Sequence, residues 1–298
     1  MNYGISATST LIMADLGISE AQFGLLAATC FAGAALSSMS LGRLSDRISS
    51  RTQLLIIFGG TALALGLMAV SGNYLWLLAA VLLSGPAQAI SNPTTNRIIS
   101  HDVEPGKRPG WMGIKQSGVQ ASQLFSSLFF PAAALIAGWR GAAVGAALVL
   151  GLLLAYAWHR LPAEPRRRMT TPPAPTNRRF RAPVWLLAAF ALFSGAGMQA
   201  TNVYLPLFAQ RELGFSLVMG GVAAAAAGVV GVASRVLWGR RMAEGTRAST
   251  LLLILAGGAI GGAGLLLAAG QTGNPLLLWA GVLFHGASVL GVNVVVMA

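Results

Sequence analysis

A few polar side chains recur at helical spacing inside long apolar stretches of this chain. Ser84, Gln88, Ser91 and Thr95 stand four, three and four residues apart, which puts them on one stripe of a helix with Asn92 beside it. Gln116, Gln120, Gln123 and Ser127 form a second stripe. Gln199 and Asn202 share a face, with Tyr204 and Pro206 following, and His285 and Ser288 complete the series. In hydrocarbon such groups either bond helix to helix or line a wet cavity that recognises a solute. Lys115 is the basic residue placed within such a stretch, and no Asp or Glu lies deep in any of them. That pairing favours a small anion, with Lys115, Gln116, Gln120, Gln88, Asn92, Gln199, Asn202 and His285 as candidate binding residues. His285 is also the group there that titrates near physiological pH and could carry a coupled proton. The plainer alternatives are a neutral packing histidine and a Lys115 that snorkels to the headgroups.

The elements that position these residues are set by composition. The chain has 298 residues, 55% hydrophobic and 9% charged, with mean hydropathy +0.68, far from the roughly 25% charged residues of soluble domains. The apolar stretches 20 to 41, 53 to 71, 74 to 98, 111 to 136, 139 to 159, 183 to 208, 216 to 238 and 248 to 269 are read as spanning helices, since about 20 residues cross a hydrocarbon core. Residues 1 to 13 and the stretch from Asn274 to Ala298 are read as partial spans, so the chain is expected to be cut at both ends. Met1, Asn2 and Tyr3 lack the basic start of a secretory signal, and a removable targeting peptide is not expected. The reading is thus an all-α integral membrane protein.

Charge placement orients it. The formal net charge is +12, and alternate sides of the spans place 17 of the 20 Lys and Arg on one side, leaving Arg140 and Arg211 opposite and Lys115 within a span. By the positive-inside rule the loops 42 to 52, 99 to 110, 160 to 182 and 239 to 247 are cytoplasmic, which predicts a multi-pass protein of the plasma (cell inner) membrane. The basic balance therefore reports topology and bilayer contact, and no basic domain with aromatic platforms suggests nucleic acid. Cys30 stands alone in a span and excludes an internal disulfide. No Ser/His/Asp set, HExxH, cysteine pair or nucleotide-binding loop occurs, so neither an enzyme, a metal site nor a cofactor is expected.

The Pro- and Arg-rich segment 161 to 182 reads as a cytoplasmic linker between an N-terminal bundle, 1 to 160, and a partial C-terminal bundle, 183 to 298. An offset of 197 residues lays LGISEAQFGLLAA, from Leu16, over LGFSLVMGGVAAA, from Leu213, and brings Ser37, Gly42 and Arg43 onto Ser234, Gly239 and Arg240. Both copies run in the same membrane direction, which is a parallel repeat. In the stretch 248 to 269, Gly257, Gly261, Gly258 and Gly262 form overlapping GxxxG pairs and are read as packing.

The loop GRLSDRISSR, Gly42 to Arg51, adds a motif. Gly42 permits close helix approach, and Asp46 among Arg43, Arg47 and Arg51 can form a charge-relay latch at an interface. Plain topology also explains the arginines but leaves Asp46 without a role. The second copy, GRRMAEGTR, has Ala243 where the aspartate would match, with Glu244 one position on. This loop and the repeat resemble the major facilitator superfamily over essentially the whole chain. The resemblance implies two pseudo-symmetric helical bundles with about ten of twelve helices present. It also implies a central cavity lined by the first, fourth, seventh and tenth helices with help from the fifth, and a latch at Gly42, Asp46, Arg47 and Arg51. The implied activity is secondary transport of a small solute by alternating access, with a small-molecule substrate and a proton or other ion as partners. An anionic organic metabolite is preferred because GIKQSGVQASQLFSSLFFP, Gly113 to Pro131, lacks the GP-then-GG pattern of proton-antiporting exporters. A drug/proton antiporter and a non-transporting receptor or scaffold are the alternatives.

Overall fold

The computed structural model describes residues 1–45, 48–104, 107–160, 182–292 and 295. Among them the backbone forms ten helices: α1 (Asn2–Ala7), α2 (Ser9–Leu16), α3 (Glu20–Ser45), α4 (Ser50–Ala69), α5 (Tyr74–Asp102), α6 (Arg108–Arg160), α7 (Ala182–Leu213), α8 (Leu217–Ala243), α9 (Ala248–Thr272) and α10 (Pro275–Val289). Two of these divisions differ from the spans read from sequence. Residues 2 to 16 are one apolar stretch interrupted at Thr8, whose hydroxyl donates to the Gly4 carbonyl at 2.9 Å. In the other direction, α6 is two helices run together, broken where Gly138 takes φ 68° and ψ 171°, between the expected stretches 111 to 136 and 139 to 159. Seven helices are long and apolar enough to cross a bilayer, and the described residues make a multi-pass, all-helical membrane protein.

Helix ends follow local chemistry. Ser19 and Gln22 form a reciprocal capping box at the start of α3, with bonds of 2.9 and 3.2 Å. Ser49, Asn73, Ser216 and Asn274 accept from the first turns of α4, α5, α8 and α10. The repeat seen in sequence recurs in backbone form. Gly17 after α2 has φ 63° and Gly214 after α7 has φ 68°, each followed two residues later by the capping serine of the next helix. A left-handed residue is needed at both places, and glycine supplies it without a steric penalty.

The chain divides into two compact units, Met1–Met112 with Phe129–Ala174 and Gly113–Leu128 with Pro175–Ala298, so the division falls inside α6. In the first unit, Phe23 and Leu26 of α3, Leu65 and Met68 of α4 and Leu77 and Ile90 of α5 are fully buried. There Gly33 and Gly85 let α3 and α5 touch backbone to backbone: a Cβ on Gly85 would lie 2.7 Å from the Ala34 nitrogen. In the second unit, Leu205 and Ala209 of α7, Ala223 and Ala227 of α8, Ala269 of α9 and Leu278 and Val282 of α10 share one core. Large apolar side chains such as Leu36 and Ile136 stand outward, 83% and 90% exposed, as helices solvated by lipid require.

Candidate functional site

In the first unit, the α5 stripe splits by depth. Ser84 is buried and shares a hydrogen bond of 3.2 Å with Cys30 Sγ, which in turn reaches Gln88 Oε1 at 3.6 Å and accepts from Asn2 Nδ2 at 3.5 Å. Ser91 and Thr95 turn their hydroxyls onto their own helix, donating to the carbonyls of Gln88 and Ser91. The amides of Gln88 and Asn92 remain on the exposed side of the helix.

At the loop 42 to 52, Asp46 and Arg47 lie outside the described residues. Among the described residues nothing lies within 4 Å of a Cβ on Gly42. Arg51 donates to the Trp158 carbonyl at 2.8 Å and stacks its guanidinium 3.8 Å above the Trp158 ring. Two residues not singled out from sequence complete this end. Arg97 Nη1 donates to the carbonyls of Ser45 and Ile48 at 2.7 and 3.0 Å, and buried Gln53 Nε2 donates to the same two at 2.6 and 3.1 Å. Thr94 holds Gln53 by donating to its Oε1 at 2.6 Å. These donors satisfy carbonyls that the end of α3 leaves open, and a cation there also suits the helix dipole.

The second unit gathers the remaining candidates. Its segment Gly113–Leu128 lies against α8, where a Cβ on Gly228 would stand 3.1 Å from the Gln120 carbonyl and one on Gly231 would stand 2.9 Å from the Gln120 side chain. Gln123 Nε2 donates to Asn202 Oδ1 at 3.2 Å and to the Ala224 carbonyl at 3.3 Å, and Asn202 Nδ2 donates to Gln199 Oε1 at 3.3 Å. The carbonyl partner fixes which end of the Gln123 amide is nitrogen. Thr201 Oγ1 lies 2.8 Å from His285 Nε2, and both border a small cavity with Met198, Asn202 and Val282. Gln120 Oε1, Gln123 Oε1 and Ser127 Oγ are buried oxygens with no hydrogen-bond partner among the described residues. Buried acceptors of that kind call for a donor, whether water or solute.

Arg235 is the feature the sequence stripes did not include. It is 6% exposed, inside α8, and donates from Nη1 to the Gln116 carbonyl and from Nε to the Leu290 carbonyl at 3.2 Å. Its guanidinium is therefore held in the interior of the second unit. Half-buried Lys115 immediately precedes Gln116. Two positive charges thus attend one turn of α6. Gln116 contributes to this arrangement through its backbone.

The family profile of the Major Facilitator Superfamily matches residues 1–298. The chain belongs to that family of membrane transporters. It is similar to "Probable anion transporter 7" of Oryza sativa subsp. japonica, 26% identical over 165 residues, which cover 55% of this chain and 37% of the plant protein. It is likewise similar to "Probable anion transporter 5" of Arabidopsis thaliana, 27% identical over 165 residues, 55% of this chain and 38% of that protein. The matched segment thus spans less than two fifths of either relative. The fold is that of a bacterial homologue of the human lysosomal transporter Spinster in its inward-facing and occupied conformation, with a TM-score of 0.77, 20% identity and coverage of 98% of this chain and 69% of that one. The nucleoside transporter NupG gives 0.70 at 14% identity, over 99% and 77%.

Proposed function

We propose that this chain serves a secondary transporter that moves a small organic anion across the plasma membrane by alternating access. The observation that carries the reading is buried Arg235, a positively charged side chain inside a span that donates to the Gln116 and Leu290 carbonyls. Lys115 adds a second basic side chain, and no Asp or Glu lies deep in a span. In a medium of low dielectric such a potential draws an anion strongly and repels a cation. The names of the plant relatives point the same way.

In this reading Gln120, Gln199, Asn202 and His285 of the second unit supply hydrogen bonds to the solute. Gly42, Asp46, Arg47 and Arg51 hold one conformational state. The segment 161 to 182 is the cytoplasmic linker between bundles 1 to 160 and 183 to 298. Uptake by the full-length protein in proteoliposomes tests the reading. Saturable uptake of a small carboxylate, competed by other small anions and not by cations, is expected. Uptake confined to cationic or neutral solutes overturns it.

A further inference from the structure

We propose that the small cavity among α7, α8 and α10 is a subsite for one methyl-sized apolar end of the solute, which makes the substrate a short-chain monocarboxylate. The carboxylate rests on the anion reading, and the apolar end rests on the cavity alone. Its walls are almost wholly carbon, supplied by Met198 and Leu205 of α7, Ala227 of α8, and Val282 and Val289 of α10. The space admits about one water molecule or one methyl group. A buried water needs two to four polar partners, whereas carbon walls leave such a cavity dry and suited to an apolar group. Of the lining residues only Met198 and Thr201 are part exposed, so the cavity opens beside them.

The first unit holds the same place closed. Counted from the capping serines Ser19 and Ser216, Cys30 of α3 matches Ala227 of α8, and Gly33 matches Val230. Counted from the capping asparagines Asn73 and Asn274, Gly85 of α5 matches Gly286 of α10, and Ser84 matches His285. In the first unit the backbones touch: a Cβ on Gly85 would lie 2.7 Å from the Ala34 nitrogen and 2.8 Å from the Cys30 carbonyl. The buried Cys30 thiol fills what space is left, 3.2 Å from Ser84 Oγ. In the second unit a Cβ on Gly286 would first meet a side chain, Val230 Cγ1 at 3.3 Å, so valine in place of glycine holds α8 off α10. Alanine then stands where the filling cysteine would be. Two substitutions between the repeats, Gly33 to Val230 and Cys30 to Ala227, thus open a space in one copy that the other copy closes.

The chemistry of mouth and walls selects the solute. Thr201, Asn202 and His285 border the cavity and suit a polar head, while the carbon-lined interior suits a methyl end. A second carboxylate, a phosphate oxygen or a hydroxyl at the inner end would lose its water and find no partner there. Dicarboxylates, inorganic anions and hydroxyl-ended acids are therefore disfavoured. Length is selected as well. Each methylene that brings the methyl nearer the cavity contributes about four-fold in affinity, and the first one in excess meets Leu205, Ala227 and Val282, which are packed in the core of the second unit.

Melting of the full-length protein in detergent, titrated with straight-chain carboxylates from acetate to hexanoate, tests this. A sharp optimum at one chain length is expected, with about four-fold in affinity lost per methylene removed. Replacing the terminal methyl at that length by a hydroxyl or a second carboxylate should cost roughly ten-fold or more. Ala227→Cys, which installs the residue of the first unit, should move the optimum to a shorter chain, and Val282→Ala to a longer one. A flat or steadily rising series overturns the subsite, as does an unchanged optimum in folded Ala227→Cys. If neither variant folds, the unaltered protein decides, because equal affinity for methyl-ended and hydroxyl-ended acids of one length overturns the subsite. Saturable proteoliposome uptake of phosphate or dicarboxylates, with no preference for a methyl end, overturns the subsite and leaves the anion reading standing. A chain-length optimum among alkylamines or alcohols, with carboxylates inactive, supports the subsite and overturns the anion reading.

Discussion

The backbone of His285 lies so close to Gly262 that a Cβ on the glycine would fall 2.7 Å from the His285 Cα. One turn earlier, a Cβ on Gly258 would strike the Ser288 hydroxyl, whereas Gly257 and Gly261 face nothing within 4 Å. Of the overlapping glycine pairs in α9, the pair 258 and 262 therefore seats α10 and places the imidazole. Gly262→Ala should destabilise the protein by about 1 to 3 kcal/mol, because its neighbours are backbone atoms that cannot swing away. Gly261→Ala should be neutral or slightly stabilising, since alanine favours a helix by roughly 1 kcal/mol over glycine. Thermal unfolding in detergent compares them, and equal midpoints for the two variants would refute the assignment of faces.

Arg235 should separate stability from affinity. Arg235→Met releases a guanidinium from the interior and also deprives the Gln116 and Leu290 carbonyls of a donor, effects of opposite sign whose net is expected within about 1 to 2 kcal/mol. Affinity has no such compensation. A unit charge about 8 Å from a bound anion, at an effective dielectric near 20, is worth ~2 kcal/mol, or roughly a 30-fold loss of apparent affinity. Arg235→Lys should retain most of it. The comparison is a transport titration beside a melting curve, and an unchanged KM in Arg235→Met would remove Arg235 from the anion's surroundings.

What the sequence made legible was whatever backbone chemistry writes locally. The sequences around Gly17 and Ser19 and around Gly214 and Ser216 aligned at one offset because each must end one helix and cap the next. The break at Gly138 fell between two stretches whose lengths already required two spans. Rotation of each helix was less legible, because lipid is as apolar as the packed interior and the pattern does not say which side of α9 meets a neighbour. That is why all four glycines looked alike. Gln53, Thr94, Arg97 and Arg235 were hidden for a different reason. Several of their bonds run to backbone carbonyls on other segments, as from Arg97 to Ser45, and a carbonyl leaves no residue type to recognise.

The ends of the first unit offer a milder test. Arg140 Nη1 meets Asp15 Oδ2 at 2.5 Å and Nη2 donates to the Ser71 carbonyl at 2.8 Å, while the guanidinium lies 4.2 Å from the centre of the Trp139 ring. The ion pair is substantially exposed, so Asp15→Asn should cost only about 0.2 to 1 kcal/mol, and less at high salt. Arg140→Ala should cost more, because it also removes the bond to Ser71 and the stacking on Trp139. A double-mutant cycle on unfolding, repeated at two salt concentrations, measures the pair. Equal costs for the two single variants would show that Ser71 and Trp139 contribute nothing.

Lys115 lies seven residues beyond Arg108, about 10.5 Å along the axis of α6. From there its stem could snorkel to the headgroups. Its neighbour Gln116, however, offers its carbonyl to buried Arg235, so this turn of the helix is fixed against α8. If Lys115 adds to the same positive potential, Lys115→Gln should lower apparent anion affinity by roughly three- to 30-fold, the upper end matching the full loss of a charge at this distance. Lys115→Arg keeps the charge while widening the donor set, and should retain most of the affinity. Both variants should be compared by melting as well, so that a change in apparent affinity is read apart from any change in stability. Transport kinetics of both variants at matched surface expression decide the matter. Identical KM values for Gln and Arg would leave Lys115 as a headgroup anchor and assign the interior potential to Arg235 alone.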